Sequence, residues 1–350
     1  MLFKPKKLMR ITCSYIRGKF IPTPVFLRLI PTDRCNLCCK YCFQYDNKSH
    51  IMTKEEFDSY FNKAVGLGSG IISFLGGEPM MWPHIYYAIQ KCTDRAIMTE
   101  MSTNATLLSD KNLEKLGIAG LDMLNLSVDS LTQTDQSNKN LLTKNDLAHR
   151  LEIFRKKYKT HVRLNAVITK HNIDDIGKLM DFAHELNYPL SLGFVVPLIF
   201  KKEKFEGNNL LFTKSDFPIL KKTVKMILDK KRKGYNIIDP DSYFEGIFDF
   251  INGTNDWDCK FSKKYSGIII APDGRLRSCT KLMGYMNYKF LDLNPEMIKE
   301  VREKIKKIID KCNPYCYSNC AYAGYYYPQH KFEFLVKNLL PSIKQLFKTK

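Results

Sequence analysis

The chain has 350 residues, of which 44% are hydrophobic and 26% charged, so it has the composition of a folded protein and not of a disordered one. Its length allows one barrel-sized domain and a smaller second unit. The formal net charge of +19 favours anionic partners in general. The lysines are spread along the whole sequence instead of forming a concentrated basic face, so we expect no nucleic-acid partner.

Residues 1–23 form a basic N-terminal segment in which lysine and arginine alternate with apolar residues at roughly helical spacing. The segment lacks the uninterrupted apolar core of a secretory signal, and no run elsewhere is long and apolar enough to span a bilayer. We therefore expect a cytoplasmic protein with reduced thiols, whose clustered cysteines bind metal instead of forming disulfides. The segment either packs against the body of the protein, which we favour, or makes peripheral contact with a membrane surface.

Residues 24–200 alternate short β-rich runs with longer amphipathic segments, which predicts an α/β fold with a parallel sheet, open or curled into a partial barrel. The helical segments include TKEEFDSYFNKAV, where Thr53 and Glu56 form a capping box, and NIDDIGKLMDFAHEL. Residues 201–258 are predicted to be a mainly helical connection. The predicted strands are Val25–Ile30, Ile71–Leu75, Ala96–Met101, Met123–Val128, Val162–Ile168 and Leu190–Val196.

Three cysteines, Cys35, Cys39 and Cys42, follow the first predicted strand in a Cys-x-x-x-Cys-x-x-Cys spacing. Three thiolates can hold three irons of a [4Fe-4S] cubane and leave the fourth iron open to a small ligand. A structural zinc site normally closes its coordination with four ligands, and a zinc knuckle is the alternative interpretation. Cys38 is surplus to this pattern and is predicted to be a small buried residue and not a ligand.

Further short motifs follow the next strands in order. Gly76-Gly77-Glu78-Pro79 follows the second strand, Ser102-Thr103-Asn104-Ala105 the third, and Ser127-Val128-Asp129 ends the fourth. In parallel α/β folds the C-terminal ends of the strands carry the chemistry. Together with the cysteine triad and Tyr41, these motifs resemble the radical S-adenosylmethionine (SAM) superfamily, which implies a partial (β/α)6 TIM-type barrel over residues 24–200.

The resemblance implies that the open iron chelates the amino and carboxylate groups of SAM. An electron from the cluster then cleaves SAM to a 5'-deoxyadenosyl radical, which takes a hydrogen atom from the substrate. The GGEP loop is expected to approach the methionine part of SAM, Asp129 the ribose and Val195 the adenine. Ala105 replaces the glycine usual in the third motif. The cofactor-binding residues implied in this way are Gly76, Gly77, Glu78, Pro79, Ser102, Asn104, Ser127, Asp129, Asn165 and Val195.

The C-terminal part contains a second group of cysteines. The turn Pro272-Asp273-Gly274 predicts a β-hairpin that brings Cys279 back towards Cys259. Further cysteines recur every four residues, which on a helix would place them on one face. The pattern resembles the SPASM or twitch extension of radical SAM enzymes, which implies an auxiliary [4Fe-4S] cluster; a zinc site is the alternative. The candidate ligands, one more than a cubane needs, are Cys259, Cys279, Cys312, Cys316 and Cys320.

We therefore predict a small C-terminal cysteine-rich α+β domain at 259–328, followed by a basic amphipathic tail at 329–350. The leading hypothesis is a radical SAM oxidoreductase or maturase that acts on a ribosomally made peptide, with flavodoxin or ferredoxin as electron donor. The second is biosynthesis on a small molecule, such as a sugar-like compound or a lipid precursor. The third is a non-catalytic iron-sulfur or zinc protein that binds an acidic partner. No residue stands out as a catalytic acid or base, and Asp258 and Tyr325-Tyr326-Tyr327 are noted only for their position beside auxiliary cysteines.

Overall fold

The computed structural model describes residues 5–42, 44–131, 139, 146–196, 209–254, 259, 268–279, 284–312, 316–319, 322 and 326. Asp258, Cys320, Tyr325, Tyr327 and the predicted tail at 329–350 lie outside these residues. The helices are α1 (Pro5–Phe20), α2 (Lys54–Leu67), α3 (Ile85–Asp94), α4 (Asp110–Ala119), α5 (Leu147–Tyr158), α6 (Ile176–Glu185), α7 (Phe217–Arg232), α8 (Asp241–Glu245), α9 (Ile247–Asn252) and α10 (Pro295–Cys312). The strands are β1 (Phe26–Leu29), β2 (Ile71–Phe74), β3 (Met98–Thr103), β4 (Met123–Ser127), β5 (His161–Ile168), β6 (Leu190–Phe194), β7 (Ile268–Ile270), β8 (Arg275–Arg277) and β9 (Tyr285–Lys289).

The first six strands pair in parallel, each with the next along the chain, and belong to a sheet of order β6-β5-β4-β3-β2-β1-β7-β8-β9. The predicted parallel α/β architecture is confirmed, as is the capping box of Thr53 and Glu56 at the start of α2. β3 begins two residues later than predicted. Ala96 has a positive φ of 54°, and the Ile97 amide bonds back to the Cys92 carbonyl, so these residues close α3 before the strand begins.

The predicted hairpin is present as β7 and β8, and Gly274 takes a left-handed φ of 78° at its turn. β7 pairs in parallel with β1, with Leu27 opposite Ile268, so the hairpin extends the same sheet that forms the barrel. The C-terminal hairpin, whose second strand ends two residues before Cys279, is therefore joined to the barrel sheet through backbone hydrogen bonds. The domain boundaries stay a prediction.

The pleat of the strands separates an apolar face from a polar one. In β5, Val162, Leu164 and Ile168 are buried in the main hydrophobic core, whereas Arg163 on the opposite face donates to Glu100 of β3 at 3.1 Å. Asn125 of β4 donates to the same carboxylate. The apolar face holds the core, and the inner face supplies polar groups to the barrel interior.

Two predictions about helices meet different outcomes. The described part of the connection, residues 209–254, contains the helices α7, α8 and α9, separated by non-helical segments. Cys312, Cys316 and Cys320 do not share one helix, because α10 ends at Cys312 and residues 316–318 are not helical. Asn313 precedes Pro314 in the sequence, and a residue before proline disfavours helical backbone, so a helix ends at this point. Among the described residues, no helix has the length and apolar character to cross a membrane.

Candidate active site

The three cysteines of the loop after β1 line one cavity of about 230 Å³. Because β1 to β4 are parallel, the loops that follow them meet at the same edge of the sheet. The structure therefore brings together most of the residues that the motifs predicted. From the later loops and strand ends, the cavity is lined by Gly76, Gly77, Glu78, Ser102, Asn104 and Ser127.

The cysteine environment fits a cubane. Cys39 is buried, and Cys35 and Cys42 are half-buried. The Cys35 sulfur lies 3.4 Å from the Leu37 amide and 3.8 Å from the Asn104 side-chain nitrogen, and both are positioned to donate to a thiolate. In the described part of the chain, no three Cys, His, Asp or Glu side chains converge closely enough to hold a single metal ion. A cubane binds each thiolate through a different iron, so it suits cysteines that are spread around one cavity.

The GGEP loop lies directly against the cysteine loop. The Gly77 amide donates to the Thr32 carbonyl at 3.0 Å, and the Glu78 amide donates to the Arg34 carbonyl at 2.8 Å. A Cβ on Gly76 would come within 2.5 Å of the Thr32 oxygen, and one on Gly77 within 2.1 Å of the Arg34 oxygen. The two glycines are thus required for this loop to approach the cysteine loop.

Glu78 is buried and joins the GGEP loop to the end of β3. Its carboxylate accepts hydrogen bonds from the Thr103 hydroxyl at 2.7 Å, the Asn104 amide at 2.7 Å and the Met80 amide at 3.0 Å. Burial raises the pKa of Glu78, against the effect of these donors. Pro79 begins a short 3₁₀ helix, Pro79–Met81. Contact of Glu78 with the SAM ammonium group stays a prediction.

Ala105 adopts the left-handed conformation, with φ of 68°. Glycine takes this conformation without steric cost, which explains why the superfamily motif usually has glycine here. The Ala105 amide donates to the Thr103 hydroxyl at 3.2 Å, and the Asn104 side chain accepts from the Thr106 amide at 3.0 Å. The turn that the glycine would make is therefore formed with alanine in place.

A second cavity, of about 340 Å³, adjoins the first, and both are lined by Cys42 and Ser127. The predicted residues Asp129, Asn165 and Val195 line this second cavity. Asp129 follows β4 and is buried; its carboxylate accepts from the Val167 amide at 3.1 Å and from the Tyr41 hydroxyl. Burial and the neighbouring Asp129 raise the pKa of Tyr41, so the phenol keeps its proton and donates.

Lys139 lies in both cavities and was not predicted from the sequence. Its ammonium group donates to the Tyr41 hydroxyl at 2.8 Å, and its carbonyl accepts from the Asp129 amide at 3.0 Å. One lysine in a chain with 55 lysines and arginines carries no distinguishing signal. Only its place beside Tyr41 and Asp129 sets it apart.

The comparisons with known proteins agree with this arrangement. Residues 29–183, which begin at the end of β1 and reach into α6, match the Radical SAM superfamily. The chain carries a radical SAM domain. Its fold is that of solved radical SAM enzymes. Streptococcus suis SuiB bound to its precursor peptide SuiA has a TM-score of 0.63 at 17% identity, with 85% of this chain and 70% of SuiB covered. anSMEcpe with bound AdoMet has a TM-score of 0.62 at 18% identity, with 93% of this chain and 100% of that chain covered.

The sequence similarity to curated relatives extends beyond the radical SAM domain. The GTP 3',8-cyclase of Clostridium perfringens strain SM101 is 29% identical over 301 residues, which cover 81% of this chain and 89% of that enzyme. The GTP 3',8-cyclase of Clostridium botulinum strain Hall is 27% identical over 301 residues, which cover 80% of this chain and 89% of that enzyme. A match that covers 81% of the chain is longer than residues 29–183 and therefore extends beyond the radical SAM domain.

A buried ion pair joins the radical SAM domain to the C-terminal hairpin. The Arg277 guanidinium donates to both oxygens of Asp33, at 3.0 and 2.5 Å, and to the Tyr285 hydroxyl at 3.0 Å. Asp33 lies two residues before Cys35, and Arg277 lies two residues before Cys279. The pair therefore links the two cysteine-bearing segments. Neither residue was singled out from the sequence.

The C-terminal segment also forms part of the cavity wall. Ser318 and Asn319 line the 340 Å³ cavity beside Gly193 of β6. The Asn319 amide group donates to Ser191 at 2.9 Å and to the buried carboxylate of Asp239 at 3.2 Å. A residue from the predicted auxiliary-cluster segment thus reaches the mouth of the radical SAM barrel.

The auxiliary cysteines are only partly described. Cys259 and Cys316 are buried and Cys279 is half-buried. The side chain of Cys312, at the end of α10, and all of Cys320 lie outside the described residues. An auxiliary cluster at these cysteines stays a prediction.

Proposed function

We propose that this protein is a radical SAM enzyme in which Cys35, Cys39 and Cys42 hold a [4Fe-4S] cluster. The observation that carries the proposal is that the cysteine loop and the predicted motifs of β2, β3 and β4 line adjoining cavities at one edge of the sheet. When bound, the cluster supplies the electron that cleaves SAM to the 5'-deoxyadenosyl radical, which abstracts a hydrogen atom from the substrate.

The resemblance to the radical SAM superfamily supplies the proposed roles of the protein side chains, and their places in the two cavities support them. In the first, the backbone of Gly76 and Gly77 and the side chains of Glu78, Ser102 and Asn104 bind the methionine part of SAM, with Pro79 fixing the end of the loop. In the second, Ser127 and Asp129 accept hydrogen bonds from the ribose hydroxyls. Asn165 lies beside the nucleoside, and Val195 provides an apolar wall for the adenine. Tyr41 orients Asp129, and Lys139 adds a positive charge.

We propose a small-molecule substrate of the nucleotide class. The support is the match to GTP 3',8-cyclases, which runs through most of this chain and most of those enzymes. A basic protein with Lys139 at the cavity also suits an anionic substrate. The second candidate is a peptide maturase or oxidoreductase. The fold shared with SuiB, whose structure holds its precursor peptide, supports that candidate.

We further propose one auxiliary [4Fe-4S] cluster, held by four of Cys259, Cys279, Cys312, Cys316 and Cys320, and an electron donor such as flavodoxin or ferredoxin. The contact of Ser318 and Asn319 with the cavity supports a position for this cluster near the substrate.

The cluster assignment is tested by iron analysis after anaerobic reconstitution. Wild-type protein should bind about eight irons, and replacing Cys35, Cys39 and Cys42 by Ala should leave about four and abolish formation of 5'-deoxyadenosine. Cys38, which was predicted to be buried, is instead an exposed cysteine of the same loop. Cys38→Ala is therefore the matched control, and it should keep both properties. Unchanged iron in the triple variant, or zinc in place of iron, would reject the assignment.

The cofactor map and the substrate class are tested separately. Asp129→Ala should keep the iron content but weaken SAM binding about tenfold or more, because a hydrogen bond to a charged group is lost. For the substrate, GTP deuterated on its ribose should transfer deuterium to 5'-deoxyadenosine. Cleavage of SAM without transfer from GTP would contradict the nucleotide class and favour the peptide candidate.

A further inference from the structure

Helix α1 packs on the body of the protein through its polar side chains. The Lys7 ammonium is buried and forms an ion pair with Asp122 at 2.5 Å. Arg10 donates to the Ser69 carbonyl at 3.1 Å, and the Ser14 hydroxyl donates to the Gly68 carbonyl at 2.6 Å. A surface helix normally buries its apolar side and exposes its polar side. In α1 the two buried side chains, Lys7 and Ser14, are polar, and Ile11 is a half-buried apolar residue that also lies against the body, beside Gly70.

The opposite side of α1 carries large apolar side chains that face solvent. Phe20 is 81% exposed and Met9 is 64% exposed. On a helix of 3.6 residues per turn, Met9, Ile16 and Phe20 lie opposite Lys7 and Ser14, and Leu8 and Tyr15 lie on one flank. This outward face, as we name it, consists of Leu8, Met9, Tyr15, Ile16 and Phe20, all of which are exposed.

Basic residues lie at one edge of the outward face, at Lys6 and Arg17, and within its arc, at Lys19. Lys6, Arg17 and Lys19 are exposed, and the α1 sequence PKKLMRITCSYIRGKF contains no acidic residue. An apolar stripe flanked by cations is the arrangement by which helices lie in the interface of an anionic bilayer. We propose that the outward face of α1 binds an anionic lipid surface, with its apolar side chains in the headgroup region and its cations on the lipid phosphates.

Charge argues against two other occupants. A second copy of this chain would place Lys6, Arg17 and Lys19 against the same cations, with no acidic residue of α1 to offset them. The chain's own segment 331–350, KFEFLVKNLLPSIKQLFKTK, is also strongly basic and would be repelled in the same way. Anionic lipid supplies both the apolar layer and the opposite charge.

The position of α1 determines how the protein would sit on the membrane. The partners of its polar side are Gly68, Ser69 and Asp122, which immediately precede β2 and β4. This is the N-terminal edge of the parallel strands, whereas the candidate active site lies at the C-terminal edge. The cavities therefore face away from the lipid, and the contact anchors the enzyme without delivering a substrate from the bilayer.

The test is co-sedimentation of the full-length protein with vesicles. Wild-type protein should bind vesicles of equal parts phosphatidylcholine and phosphatidylglycerol about tenfold or more tightly than vesicles of phosphatidylcholine alone, and added salt should weaken the binding. Replacing Leu8, Ile16 and Phe20 by Ser should lower the binding at least about tenfold. Ile153→Ser is the matched control, because Ile153 is a similarly exposed isoleucine on α5.

Several outcomes would overturn the proposal: no binding of wild-type protein to either vesicle, equal binding to both, or equal loss in the Ile153→Ser control. A wild-type dimer that the triple variant abolishes, found by sedimentation velocity without lipid binding, would assign the face to a second copy. If circular dichroism shows that the triple variant is misfolded, Phe20→Ser alone decides, since this side chain packs little against the protein.

Discussion

Arg277 and Asp33 hold opposite charges in a site from which water is almost excluded, with side chains 3% and 2% exposed. Removing one partner of a buried ion pair leaves the other charge without compensation. We expect Arg277→Leu to lower the free energy of unfolding by about 3–5 kcal/mol in denaturant titrations. Arg275→Leu should cost less than about 1 kcal/mol, because its partner Asp273 lies with it at the surface. Equal losses in the two variants would contradict a structural role for the buried pair.

Asp239 has a buried carboxyl group, and burial raises its pKa to about 6. The hydrogen bonds that Leu192, Ser191 and Asn319 donate to the carboxylate act in the opposite direction and lower the pKa. The native state therefore holds this proton more tightly than the unfolded state, where an aspartate has a pKa of about 3.9. Unfolding free energy should fall as pH rises from about 4 to about 6, by about 3 kcal/mol from this group.

Asp239→Asn removes that titration, so the stability of the variant relative to wild type should increase by about 3 kcal/mol between pH 4 and pH 7. Asp229→Asn provides the control, because Lys225 lowers the pKa of the exposed Asp229 and any effect has the opposite sign. A constant difference between Asp239→Asn and wild type over this range would show that the carboxyl group titrates normally.

At the scale of elements, the approach of the GGEP loop to the cysteine loop depends on the absence of a side chain at Gly77. A methyl group there would overlap the Arg34 carbonyl, which is backbone and cannot rotate away. We expect Gly77→Ala to separate the loops and to lower the iron retained by the first site after gel filtration, towards the four irons of the triple-cysteine variant. Gly66→Ala is the matched control, since a Cβ at Gly66 on α2 meets no described atom within 4 Å. Full iron retention in Gly77→Ala would mean that the loop adjusts at little cost.

The strand and helix boundaries show how element-scale patterns translate into structure. The predicted strands lie within about two residues of those observed, because alternating and continuous apolar runs reflect the burial of a sheet covered by helices. The four-residue spacing of the last cysteines was misleading as evidence for one helix. A spacing sets positions on a helix only if the backbone continues as a helix, and α10 ends at the first of them.

At the scale of the whole molecule, the proposed clusters have separable tasks. The first cluster is proposed to have three cysteine ligands and would leave one iron open to SAM, whereas the second is proposed to have four, so cleavage of SAM should not need the second. A Cys259→Ala, Cys279→Ala double variant should still form 5'-deoxyadenosine with dithionite as electron source, yet yield no final product. Circular dichroism must first show a folded protein, because metal binding often contributes to folding.

Two results would contradict this division. Full product formation by a folded double variant would make the auxiliary site structural. Loss of SAM cleavage as well would show that the two sites act as one unit, a coupling for which the Asp33–Arg277 pair offers a physical path.

The sequence by itself determined the radical SAM domain, because short motifs with specific backbone and ligand requirements follow successive strands in a fixed order. The cysteine triad, the GGEP loop and Asp129 could be located without coordinates, since the ends of parallel strands must meet at one edge.

Only the tertiary structure identified Lys139, Asn319 and the Asp33–Arg277 pair. Their residue types are common, and their hydrogen-bond partners lie 8 to 244 residues away along the chain. It also decided the orientation of α1. Periodicity shows that a helix has an apolar and a polar side, but which side faces the protein depends on what lies opposite. Here the buried carboxylate of Asp122 and the carbonyls of Ser69 and Gly68 accept hydrogen bonds from Lys7, Arg10 and Ser14. This side of α1 therefore faces inward, whereas Met9, Ile16 and Phe20 face solvent.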